Sequence, residues 1–152
     1  MPFIEPNEWC SILYYELTTR VGESFVAVSK VIGVDGFTKP VDSERFCLGS
    51  LANINRTSYI DHVRKHIGKG VMLYYTAGKI YLHCVSDNSA VFVQSENLNR
   101  SHGWQSTAVI KVAPGRRTTF FITHYFFTKL EMLTGKMLKI FDNVEFSHCL
   151  EQ

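Results

Sequence analysis

The chain has 152 residues, 45% of them hydrophobic and 20% charged, with a formal charge of +2. That length holds one domain with a sizeable core, the balance is that of an ordinary globular protein, and so small a charge gives no case for nucleic-acid binding. Cys10, Cys47, Cys84 and Cys149 form no CxxC pair and read as small buried apolar residues in a reducing compartment, and no stretch reads as a signal peptide or is long enough to span a membrane.

Taken in order, residues 1–8 form a short leader with two prolines. Residues 9–17, WCSILYYEL, are aromatic and β-rich, and residues 21–34 are a second apolar stretch with its strand at 25–28. A hairpin joins the two, with Gly22 near the turn or at a bulge. Asp35-Gly36 and Lys39-Pro40 punctuate a loop, and residues 45–48 are a short strand. Residues 57–75, TSYIDHVRKHIGKGVMLYY, are the organising stretch: an amphipathic helix, a glycine stop and a strand. Ser58 with Asp61 resembles a capping box, Ile60, Val63 and Ile67 recur at helical spacing, and Gly68 and Gly70 can end the helix. Arg64, Lys65, His66 and Lys69 crowd its carbonyl end, where solvated cations complement the dipole. Residues 71–76 and 79–85 flank Ala77-Gly78 as a hairpin. Residues 90–94 and 107–112 are further strands, separated by a polar loop at 97–105. Residues 116–135 differ in character, with five aromatics between Phe120 and Phe127 in a segment suited to strand pairing. Residues 136–141 resume a strand, and 143–151 suit a short terminal helix capped by Asp142. Many short strands, frequent turns and one central helix favour a β-sandwich.

Little in the chain suggests catalysis. His62 and His66 have a spacing that lets two imidazoles share a metal, but no carboxylate lies between them and the neighbouring cations would repel one. Cys47 and Cys84 sit among apolar residues, with nothing to pair them with a histidine base. Gly68-Lys69-Gly70 lacks the remaining glycines and the following Ser or Thr of a phosphate-binding loop. Trp104 stands in a polar loop beside Gly103, either as an anchor folded back onto a sheet or as part of a recognition groove.

An ordered set of motifs resembles one family. Trp9-Cys-Ser-Ile12, Arg20-Val-Gly-Glu23, Val34-Asp-Gly-Phe-Thr38, Ser43-Glu-Arg-Phe-Cys-Leu-Gly49, Asn53-Ile-Asn-Arg56, His66-Ile-Gly-Lys-Gly70, Val91-Phe-Val-Gln-Ser95 and Lys139-Ile-Phe141 are similar to the C-terminal Mad homology 2 domain of Smad proteins. Tyr74-Tyr75 and Gly103-Trp104 look most like the receptor-regulated, activin and TGF-β branch. The resemblance implies a mainly β fold, an antiparallel β-sandwich related to the forkhead-associated one, with a loop–helix region at one end and a helical bundle at the other. It implies an intracellular signal transducer and transcriptional regulator, cytoplasmic and nuclear, without enzymatic activity, metal or cofactor. Its partners would be other Smad proteins, in homo- or hetero-trimers, and transcription factors and coregulators, with no direct DNA contact and no membrane insertion.

By position, Asp35 and Arg45 match the family's oligomer interface. Lys111 matches a lysine that helps bind a neighbour's phosphoserine tail. Tyr81, His102 and Trp104 match the groove for extended partner peptides, in which His102 and Thr76 stand where relatives carry Tyr and Ile. The domain then spans residues 9–152, with 116–135 as an atypical insertion, a translated intron or a lineage-specific loop. The helical bundle and the phosphorylated tail expected after Gln152 are missing. The alternatives are a tail-less isoform that titrates Smad partners and a phosphopeptide-binding module of forkhead-associated type.

Overall fold

The computed structural model describes residues 8–17, 19–77, 79–87, 89–95, 99–100, 102–105, 107–121, 128–133 and 137–141. In chain order the strands are β1 (Cys10–Glu16), β2 (Thr19–Arg20), β3 (Phe25–Ala27), β4 (Val31–Asp35) and β5 (Arg45–Cys47). A 3-10 turn (Leu48–Ser50) and the helix α1 (Ser58–Arg64) follow. Then come β6 (Val71–Thr76), β7 (Lys79–Cys84), β8 (Val91–Ser95), β9 (Val109–Val112), β10 (Arg117–Phe121), β11 (Thr128–Leu133) and β12 (Met137–Phe141).

Alternation decides which face of each strand packs. β6 and β7 bury Val71, Leu73, Tyr75, Ile80, Leu82 and Cys84, and the residues between them lie on the opposite, more open face. The two strands pair antiparallel with Thr76 opposite Lys79, so their connection is the two-residue turn that Ala77-Gly78 announces. Ala77 takes a φ of 46°, as a tight hairpin turn of this hand requires.

Two sheets result. One has the order β10-β7-β6-β4-β5; the other runs β2-β1-β11-β12-β8-β9, with β3 also paired to β1. Trp9, Ile12, Tyr14 and Val93 of the second sheet meet Ile32, Leu73, Ile80 and Leu82 of the first in one core. Trp9 stacks on Tyr75 at 5.3 Å between centroids, and its Nε1 donates to Ser29 O at 2.7 Å. The indole is therefore fully buried with its polar edge satisfied, as a core tryptophan needs.

The structure is a mainly β sandwich, but its sheets are mixed rather than purely antiparallel. β1 with β11, β12 with β8 and β4 with β5 are parallel pairs. The first of these involves the segment 116–135, whose described residues place β10 on the edge of one sheet and β11 between β1 and β12 of the other. The expected strand at 25–28 is followed by a second one, β4, after a bend at Ser29 and Lys30, and Gly22, with a φ of 74°, interrupts the hairpin partner between β2 and β3.

The helix begins one residue earlier than a Ser58 cap would place it. Thr57 is the N-cap: its backbone is extended and its hydroxyl accepts from Ile60 N at 3.2 Å. Ile60, Val63 and Ile67 are buried as their spacing requires, and Gly68 and Gly70 take φ values of 57° and 65° in the turn that leads to β6. Residues 1–7 of the leader at 1–8, the terminal helix at 143–151 and its Asp142 cap lie outside the described residues.

Candidate functional site

Asp35 closes β4 and Arg45 opens β5, and the parallel pairing of these strands sets Gly33 opposite Arg45 and Asp35 opposite Cys47. Arg45 Nε and Nη2 donate to Asp35 Oδ2 at 3.1 and 2.7 Å. Asp35 Oδ1 accepts from Phe37 N at 2.9 Å, and Cys47 Sγ lies 3.7 Å from Oδ2. The carboxylate is therefore consumed inside the subunit. Only the arginine reaches the surface, its side chain 36% exposed against 4% for Asp35, with the guanidinium 5.6 Å over the Phe37 ring. Burial first, and then the Asp35 charge, push the Cys47 thiol above its usual range, so it stays protonated. A cavity of about 590 Å3 opens beside Arg45, with Val31, Phe37, Lys69 and Met72 among its walls.

This edge is held by close backbone crossings. Gly36 N donates to Gly68 O at 2.9 Å, and Gly70 O accepts from Val85 N and Ser86 N at 3.0 and 3.1 Å. A Cβ on Gly70 would lie 1.9 Å from Val34 O, and one on Gly49 would lie 2.4 Å from Gly36 O. The glycines let the loop after β4, the 3-10 turn and the end of the helical segment touch main chain to main chain.

Beneath the edge lies a charged cluster that motif reading missed. The Glu16 side chain is 3% exposed. Arg56 reaches it through Nε at 3.1 Å to both oxygens and through Nη2 at 2.8 Å to Oε2. Asn53 Nδ2 donates to Oε1 at 3.0 Å, the Tyr14 hydroxyl donates to Oε2 at 2.9 Å, and Arg64 Nε stands 3.6 Å away. Burial is the largest single influence on Glu16 and opposes its charge. The hydrogen bonds from Arg56, Asn53 and Tyr14, with the Arg56 charge, outweigh it and hold the carboxyl below its usual range. Burial and then Glu16 push the Tyr14 phenol well upward. Arg64 is thus not a solvated complement to the helix dipole: its Nη2 also donates to Leu48 O and Leu51 O, turned into the protein. The cluster ties β1, the 3-10 turn, the 51–57 loop and α1 into one rigid body. A glutamate inside an otherwise apolar strand was the one available signal, since a buried carboxylate needs cationic partners.

The remaining site residues fall in two places. His102 and Trp104 stack at 4.4 Å with planes 19° apart, and Trp104 is 47% exposed. Buried Asn99 holds this turn, donating from its side-chain Nδ2 to Ala108 O at 2.9 Å and accepting from Trp104 N at 2.8 Å through its main-chain carbonyl. Trp104 is thus a surface aromatic and not an anchor folded into a sheet. Lys111 is exposed on β9, opposite Phe92 of β8. Tyr81 belongs to the other sheet, half-buried on β7 between Tyr74 of β6 and Thr119 of β10. The His62 and His66 rings lie 4.7 Å apart, and His66 Nδ1 is engaged by His62 O at 2.8 Å. Among the described residues, no three potential metal ligands come together.

A rigid two-sheet sandwich that presents a held arginine and an exposed aromatic pair defines a class: a domain that meets other proteins through fixed surfaces. Among the described residues, no helix is long and apolar enough to cross a membrane. The family model described as the MH2 domain matches residues 7–152, nearly the whole chain. The chain belongs to the MH2 domain family, the Smad-type protein-interaction and signalling domains, which are not a known enzyme family.

Proposed function

We propose that this chain is a signal-transducing interaction domain in TGF-β-type signalling and transcriptional regulation, working in cytoplasm and nucleus through contacts with other Smad proteins and with transcription factors. Family membership over residues 7–152 carries this reading. In this reading the oligomer edge divides its labour: Arg45 meets the neighbouring subunit, a role supported by buried Asp35 holding its guanidinium at the surface. Lys111, exposed on β9, reads a neighbour's phosphoserine as a point charge. His102, Trp104 and Tyr81 face extended partner peptides. A stacked imidazole and indole offer a flat, rigid contact with little entropy to lose.

Trp104 gives a direct test, because the other tryptophan, Trp9, is fully buried. Extended synthetic peptides from Smad-binding transcription factors should shift the Trp104 emission to the blue and shield it from iodide. Trp104→Ala should weaken their binding, followed with a labelled peptide, by about tenfold to a hundredfold, as for a central aromatic contact. Equal binding by the Ala variant would remove Trp104 from the groove.

A further inference from the structure

β7 is where the five-stranded sheet would end without β10. Its inner neighbour is β6 and its outer neighbour is β10, paired residue for residue from Arg117 opposite His83 to Phe121 opposite Lys79. Among the described residues, β10 pairs with no strand beyond β7. At its start it is tethered through Gly115 N to Cys84 O at 2.7 Å and Cys84 N to Arg116 O at 2.9 Å. Of its described side chains, Arg117 is exposed and Thr118 and Thr119 are only half-buried, whereas alternate residues of β6 are fully buried in the core. β10 meets β7 through ladder pairing along all five of its residues, and a ladder bond is offered equally well by any extended chain.

We propose that the outer edge of β7 is a strand-docking edge and that residues 117–121 occupy it in cis. A partner would bind there only by displacing them. The fitting partner is an extended peptide segment with β-branched and aromatic residues and no proline at its paired positions. Tyr81 stands opposite Thr119 at the middle of this edge, so an incoming strand runs beside it. The biological meaning of the edge rests on the peptide-binding reading of Tyr81 given above; the exchange of strands does not. Because β10 is tethered, its effective concentration at the edge is on the order of millimolar. A peptide arriving from solution sees an affinity reduced by the small fraction of chains whose edge is open.

The test uses the whole chain and a fluorescent peptide with the sequence of residues 115–122, GRRTTFFI. In the double variant Thr118→Pro with Thr119→Pro, one of the two prolines removes a ladder bond to β7 whatever the phase, because successive amides point to opposite sides of a strand. By fluorescence anisotropy this variant should bind the peptide at least about tenfold more tightly than the unaltered chain, the penalty of cis competition having been removed. A second variant, Arg117→Cys with His83→Cys, places thiols on directly opposed residues within disulfide reach. Oxidation should slow amide hydrogen exchange over residues 79–83 by about tenfold or more while leaving β6 unchanged. Equal peptide binding by the proline variant and the unaltered chain, with the near-ultraviolet signal of Trp9 intact in both, would overturn the proposal. So would exchange that oxidation leaves unchanged, and this second readout decides the matter if the proline variant does not fold. The probe is the chain's own strand, so its failure condemns the edge, whereas failure of the peptide-binding reading shows separately in Trp104→Ala.

Discussion

Glu16→Ala is expected to destabilise the domain by about 3–5 kcal/mol, the effect of removing one partner from a buried ion pair. The loss is large because the substitution leaves two guanidinium groups, those of Arg56 and Arg64, in a nearly dry site without their anion. Glu16→Gln keeps the shape and some hydrogen bonds but not the charge, so it should fall between the two. The sign of the pH dependence follows from the lowered pKa. Glu16 contributes fully above the ordinary carboxylate value of 4.5 and loses that contribution as pH falls through the lower value it has in the folded protein. Urea midpoints of the unaltered and Gln chains should therefore differ most at neutral pH and converge on acidification. A constant gap from pH 7 to below the carboxylate range would show that the charge of Glu16 does not hold the cluster.

Gly70→Ala should also be severe, on the order of 2–5 kcal/mol, from a left-handed backbone and an overpacked contact acting together. The contact is specific: the new Cβ would sit 1.9 Å from Val34 O, a backbone atom that cannot swing aside. Gly68 supplies the control. Its φ of 57° is close to the 65° of Gly70, yet a Cβ there meets nothing within 4 Å. Gly68→Ala should thus lose only the conformational part, about 1–2 kcal/mol. Equal melting-temperature shifts for the two variants would show that the backbone crossing between β4 and the start of β6 is not tight.

These two residues also mark where sequence reading stops. The alternation of 71–76 and 79–84 was legible because each strand packs one face, and the period of two survives in the letters. Gly70 was legible as a helix stop, but the second reason for a glycine there is a strand contributed from more than thirty residues earlier, about which local pattern is silent. Arg64 looked like a solvated end of a basic helix, since its partners at positions 16, 48 and 51 are remote in the chain. β4 was hidden in a long apolar stretch because only Val28, Ser29 and Lys30 part it from β3. The candidate site positions come from resemblance and not from chemistry read from spacing. That Asp35 spends its carboxylate on Arg45, leaving one charge at the surface instead of two, needed the parallel pairing of β4 with β5.

Arg45 and its clamp carry the central claim that this domain joins other Smad proteins through a preformed edge. Sedimentation velocity of the chain mixed with a receptor-regulated Smad MH2 domain, phosphorylated on its C-terminal serines, tests that claim most directly. A heavier mixed boundary is predicted, and Arg45→Ala should require about tenfold or more protein to form it, measured well below the variant's own melting temperature because the substitution also leaves the buried Asp35 carboxylate without its cation. A folded chain that sediments by itself at every ratio, or a mixed boundary indifferent to Arg45→Ala, would contradict it.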